Sequence, residues 1–366
     1  MALKTIQLFV VACGVLVAYL MTLTQGEIER TDYYDQQREA VIRMAAMMDA
    51  IKAERLERGL AIDSEIDPLE TGLIGFPWPD FGEPSITTTS GFLPAKQLSV
   101  NPNFAALMVR YFHDLNLQAN DTVHVYFSSS FPALNLAILA AIETMDLHAV
   151  VASSIGASSY GANAPTFTWI DMEHHLLSLE LLSTSSQWVS LGGENDRLEE
   201  ETDETFKETL RTHIHTLGYT FIDETDFAQN VETRYRSFRM QGGRAQAFIN
   251  VGGALVATGR HGRSYPSGVT HRYSVRVGAQ SGLIDYYFRD DIPVIHLLNI
   301  SNLARRYAMQ TDVRAPFIHG VGSMYVNTTY PIIYTVMAFI WTGSVLGSET
   351  VLRYIRKPIQ KRGETS

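Results

Sequence analysis

The feature that most limits this chain is an uncharged run of 22 residues, Thr5 to Gly26, near its start. Its centre, Leu8 to Met21, is almost wholly apolar, and a helix needs about 20 such residues to cross a bilayer. Residues 1–26 therefore read as a transmembrane helix. A cleaved signal peptide is the alternative; the length of the run and the lack of a small-x-small site after Leu23 stand against it. A second uncharged run, Tyr330 to Leu346, carries Pro331 in its first turn and Tyr330, Tyr334 and Trp341 as interfacial anchors. At 17 residues it competes with a buried core helix, but Arg353, Arg356, Lys357, Lys361 and Arg362 follow it, where cytoplasmic positive charge belongs. The expectation is two spans, 1–26 and 326–347, with both termini and a basic tail (348–366) in the cytoplasm. The domain between them, 61–325, then lies outside.

Charge divides along the same lines. The chain is at -10 overall, with 29 Lys+Arg and 39 Asp+Glu. Residues 1–24 and 347–366 hold six of the basic and two of the acidic residues, so the middle keeps 23 against 37 and stands at -14. Neutralising phosphates takes a basic face, so the balance argues against a general nucleic-acid binder. One cysteine, Cys13, rules out a disulfide framework, a cysteine zinc cluster and an iron–sulfur cluster. It falls in the first span, leaving the exported part without a thiol, which suits an oxidising compartment.

Residues 27–60 read as a juxtamembrane helix. Asp35 to Arg58 contains no Gly or Pro, Gly59 supplies a stop, and Val41, Met44, Ala45, Met48 and Ile51 recur at helical spacing. The stripe packs on the chain's own domain or, with Met47, faces a partner. After the Pro- and Gly-rich entry Phe76–Pro84, short β-rich runs alternate with helical ones: strands at 123–127, 148–153, 187–191, 219–222, 247–251 and 293–298, helices between. Such alternation indicates βαβ crossovers: a mainly parallel, Rossmann-like α/β sheet with helices on both faces, flanked by the two transmembrane helices.

Sheets of this kind bind ligands beyond the carboxyl ends of their strands, which selects four loops. In the first, Ser128, Ser129 and Ser130 with Asn135 offer hydroxyls and a helix start to an anion, or Ser130 simply caps the helix. It is neither GxGxxG nor GxxxxGK[ST]. The second, Ser153 to Pro165, holds Ser153, Ser154, Gly156, Ser158, Ser159 and Asn163. It reads as a binding loop or as the seat of a serine nucleophile, Ser158 or Ser159, with His174 or His175 as base. Gly156 to Gly161 is one residue too long for G-x-S-x-G. In the third, Glu194 and Asp196 are candidate ligands for a hard cation or parts of a solvated turn. The fourth begins at Gly252 and Gly253 and bears Arg260, Arg263, Arg272 and Arg276, with no acidic residue between Val251 and Ala279. Guanidinium forks there suit carboxylates or phosphates, unless they are salt-bridged.

Several segments together resemble the poly-gamma-glutamate system protein family, an accessory component of bacterial poly-γ-glutamate capsule synthesis and export. They are Thr71–Gly75, Ile86–Thr89 with Ala95–Ala105, Ser129–Asn135, Ala152–Asn163, Gly192–Asp196 and Ile249–Gly253. The resemblance implies a protein of the bacterial inner membrane, working with synthetase and export subunits on an anionic polymer, and it names no catalytic residue and no cofactor. Three functions follow as expectations: an exported domain that binds or handles the polymer, a hydrolase or transferase acting on it, and a non-catalytic scaffold for the partner subunits.

Overall fold

Apolar residues in this chain are of two kinds, those covered by the fold and those left bare, and they sort into two units. The computed structural model describes residues 2–78, 85–193 and 195–355. In chain order the elements are α1 (Ala2–Thr24), β1 (Glu27–Arg30), α2 (Tyr34–Glu57), β2 (Thr87–Thr89), α3 (Leu93–Ser99), α4 (Asn103–Asp114), β3 (Thr122–Ser128) and α5 (Pro132–Thr144). Next come β4 (His148–Ser154), β5 (Ala157–Ser158), α6 (Trp169–Ser178), β6 (Ser186–Ser190), α7 (Glu204–Thr216), β7 (Thr220–Phe221), α8 (Phe227–Gly242) and β8 (Ala247–Val251). Then follow α9 (Leu255–Thr258), β9 (Gly268–Thr270), α10 (Leu283–Arg289), β10 (Val294–Leu297), α11 (Ile300–Arg306), β11 (Val326–Thr329) and α12 (Ile332–Ile355).

The terminal unit, up to Thr31 and from Val326 onward, pairs α1 with α12 and β1 with β11. Gly14 makes the helix pairing possible, because a Cβ there would come 2.1 Å from Trp341 Nε1. That indole N–H donates to the Val10 carbonyl at 3.3 Å. Ile6, Leu8, Phe9, Leu16, Ile333, Phe339 and Ile340 stay exposed. Thr5–Thr24 is long and apolar enough to cross a membrane, whereas the apolar part of α12, Ile332–Ser348, is shorter. Of the two expected spans, then, one meets the requirement of length. Residues 356–366, with most of the basic tail, lie outside the described residues, as do 79–84 of the Pro-rich entry.

The second unit, Asp32–Tyr325, is a mixed α/β fold around a seven-stranded sheet of order β7-β6-β4-β3-β8-β10-β9. Every pairing is parallel except β10 with β9. The strands are apolar on both sides because both faces are covered. From β3, Tyr126 points into a cluster with Val231, Tyr235 and Phe238 of α8 and Tyr287 of α10, while Phe127 meets Trp169 of α6 edge-on at 5.6 Å. Helices α2, α4 and α5 pack together. The stretch expected as a juxtamembrane helix over 27–60 is thus divided: 27–30 form β1, and α2 belongs to the folded domain. Its stripe Val41, Met44, Met48 and Ile51 is buried, and the buried Gln37 amide donates to the carbonyls of Ala106 (3.2 Å) and Met324 (2.8 Å).

The chain runs outward from β3 through β4 and β6 to β7, then crosses back to place β8 on the other side of β3. That reversal leaves a crevice between the carboxyl ends of β3 and β8, where ligands of doubly wound sheets bind.

Candidate active site

A cleft of about 1110 Å³ opens over this crevice. Its walls come from the loops after β3 (Ser128, Ser130, Phe131), β4 (Ser154, Gly156, Ser158), β6 (Gly193), β8 (Gly253) and β10 (Asn299, Arg305). All four loops chosen from sequence therefore reach it. The fourth does so through Gly253, Ala254 and Leu255, not through its arginines. A second, small sheet of β2 on β5 closes the remaining side and carries Thr88 and Thr89 into the lining.

At the floor stands a pair that the sequence reading did not bring together. Helix α3 buries Lys96, 2% exposed, and aims its amine at Ser158 on β5, 7% exposed, with Nζ 2.7 Å from Oγ. The amine also donates to the Ser130 carbonyl and lies 3.8 Å from the centre of the Phe131 ring. Burial pushes Lys96 down from 10.5 to about 7, because an ammonium is costly away from water. No carboxylate is among the causes of that shift. A neutral lysine can take the proton of a neighbouring hydroxyl, which is how lysine serves as a general base and serine as a nucleophile.

The surrounding serines fix this geometry. Ser130 does not cap α5, whose N-cap is Phe131 and has no side-chain cap bond. Its Oγ accepts the Ser158 N–H (2.9 Å) and the Ser128 hydroxyl (3.0 Å), so both lone pairs are engaged and its own proton remains to be donated. Ser159 does not line the cleft, and its Oγ accepts the Gly91 N–H at 2.7 Å. Gly91 permits that approach; a Cβ on it would sit 2.1 Å from the Ser159 carbonyl oxygen. Ser129 donates to the Ser154 carbonyl (2.6 Å), and Ser153 shares a hydrogen bond with Ser186 (2.6 Å). Asn135 donates to the Ser128 carbonyl (3.2 Å), and Asn163 holds both backbone polar groups of Phe76 (2.8 and 2.9 Å). These four are internal ties and not ligand contacts. Gly252, at a φ of 82°, turns the chain at the end of β8.

The other candidates are corrected by their partners. His174 is exposed and His175 faces Glu54 of α2 at 3.4 Å; neither lines the cleft, because α6 turns them toward solvent and α2. Asp196 is buried against Arg234 and accepts the Ser190 hydroxyl at 2.8 Å, so its carboxylate is spent on a structural pair. Glu194 lies outside the described residues. Arg263 pairs at 3.2 Å with the fully buried Asp285, which also accepts His261 at 2.8 Å. Arg260 bonds Asn195 and stacks 4.1 Å over Phe227. The acidic partner of the arginine loop comes from α10, beyond the stretch in which no acid was found.

Two basic residues of the cleft escaped the sequence reading. Lys96 left a trace, being the sole charged residue from 84 to 109. Arg305 left none. Comparison with known family models, with characterised proteins and with solved structures finds no match.

Proposed function

We propose that this chain is a membrane-anchored serine–lysine acyl hydrolase or acyltransferase. The observation that carries the reading is the 2.7 Å contact between Lys96 Nζ and Ser158 Oγ at the sheet's switch point. Neutral Lys96 takes the Ser158 proton as Oγ attacks the acyl carbon of an amide. The C–N bond breaks, the lysine returns the proton to the leaving amine, and water or a second amine then takes the acyl group from Ser158.

The resemblance supplies a candidate substrate and setting: the amide links of poly-γ-glutamate at the outer face of the bacterial inner membrane, beside the synthetase and export subunits. In this reading α1 crosses the membrane and Ile332–Ser348 makes a second, short crossing. Both termini are cytoplasmic, the domain is extracytoplasmic, and nucleic acid plays no part.

The test is covalent labelling of the full-length protein in detergent with a fluorophosphonate probe at pH 8. Labelling is expected at Ser158, lost in Ser158→Ala and slowed by ~10²-fold or more in Lys96→Met, the usual weight of a general base. An unlabelled Ser158, or equal labelling in Lys96→Met, sinks the reading. A non-catalytic role in polymer handling or scaffolding instead predicts that cells carrying Ser158→Ala make polymer of unchanged amount and chain length.

A further inference from the structure

Besides the dyad, one cation among the described residues lines the cleft. Arg305 lies on α11, which packs against α3, the helix that carries Lys96. Asn299, at a left-handed φ of 53°, turns the chain from β10 into α11, a conformation that asparagine tolerates better than most residues. The arginine Nε is spent on the Ser301 carbonyl at 3.2 Å, a bond within its own helix that steadies the shaft. The two terminal amino groups remain, and among the described residues Arg305 is in none of the ion pairs that occupy Arg263, Arg234 and Arg58. Those groups form a fork matched to a carboxylate.

We propose that Arg305 is the specificity residue of this site and binds a carboxylate on the acyl portion of the substrate, so that the site takes anionic acyl donors. The inference rests on the acyl-transfer reading and deepens it. Ser158 follows β4 and Arg305 follows β10, three strand positions apart in the order β4-β3-β8-β10. At ~4.8 Å per strand that is on the order of 14 Å along the sheet edge, before side chains reach inward. Both residues line the same cleft, so an extended dicarboxylic acyl group is the class of donor that would reach from one toward the other.

The probes are two p-nitrophenyl esters, the half-ester of glutarate and the neutral butyrate, given to the full-length protein in detergent at pH 8. Ser158 Oγ bonds to the acyl carbon, p-nitrophenolate leaves with the electron pair, and Lys96 takes the serine proton. The glutarate ester is expected to react ~10-fold faster or more, the worth of a hydrogen bond to a charged group. In Arg305→Met that ratio is expected to fall to about one, and in Arg305→Lys to lie between. Fluorophosphonate labelling of Ser158 separates the two claims. Labelling with no preference for the glutarate ester, or with a preference that survives Arg305→Met, overturns the arginine's role alone. Ser158 that neither labels nor is acylated overturns the dyad and this inference together.

Discussion

At the scale of the residue, the site turns on one buried amine. Lys96 has its value lowered by burial to about 7, so above that pH it is a base and below it an ammonium that cannot take the Ser158 proton. The acylation rate of Ser158 is therefore expected to rise with pH along a single sigmoid centred near 7. A rate still climbing toward the ordinary lysine range would show that another group is titrating. The same burial bears on stability. The unfolded chain holds the proton up to the ordinary lysine value of 10.5, while the folded one releases it near 7. Keeping the lysine thus costs most below pH 7 and nothing above 10.5. Lys96→Met is expected to raise stability by an amount on the order of 1–3 kcal/mol at pH 6, less at pH 9, while acylation is lost. Denaturant unfolding at the two pH values measures this, and a variant less stable at both would mean the amine serves structure. Ser158 was legible as one of two serines in a loop of small residues after a strand. Its partner Lys96 was not, because the two are 62 residues apart and meet only through tertiary folding.

At the scale of the element, alternation of apolar runs with helical ones was enough to read β3, β4, β6, β7, β8 and β10, and the helices α5, α6, α7 and α8. What escaped were pieces too short for any period to register. Helix α3 has seven residues, β5 two and β2 three, yet these carry Lys96 and Ser158 and close the cleft. The histidines misled for a related reason: His174 and His175 follow the serine loop in sequence, but α6 carries them to solvent and to Glu54. The loop after β6 is held by burial of charge. Asp196, at a left-handed φ of 60°, is fastened by Arg234 and Asn230 of α8 and by Ser190. Removing one partner strands the other without water, so Arg234→Met is expected to cost about 3–5 kcal/mol, read as a lowered denaturation midpoint. The loss of an exposed pair such as Arg236–Glu232 is expected to cost under about 1 kcal/mol. Equal effects would show that the buried pair does not hold the loop.

At the scale of the whole molecule, the division of charge and apolar surface is what the proposed compartment rests on. The bare residues of α1 include Leu8, Phe9, Leu16 and Leu20, and in water a stretch of that size would cost about 25 cal/mol for each Å² left uncovered. In the proposed reading lipid removes that cost for Thr5–Thr24, which is long and apolar enough to cross a membrane and contains Cys13. The chain has one cysteine, so a second placed in the α/β domain reports its side of the membrane. Met240 on α8 is 88% exposed, and Met240→Cys leaves the core untouched. In spheroplasts, a membrane-impermeant maleimide is expected to label Met240→Cys within minutes and to leave the parent protein, with Cys13 in lipid, unlabelled. Labelling of Met240→Cys only after lysis would put the domain in the cytoplasm. The dyad would then act on a soluble intracellular acyl donor, because the chemistry of Lys96 and Ser158 is local and needs only a carboxylate-bearing amide or ester within reach of Arg305. The polymer would lose its place as substrate, and the fluorophosphonate and ester assays would still decide whether the catalyst exists.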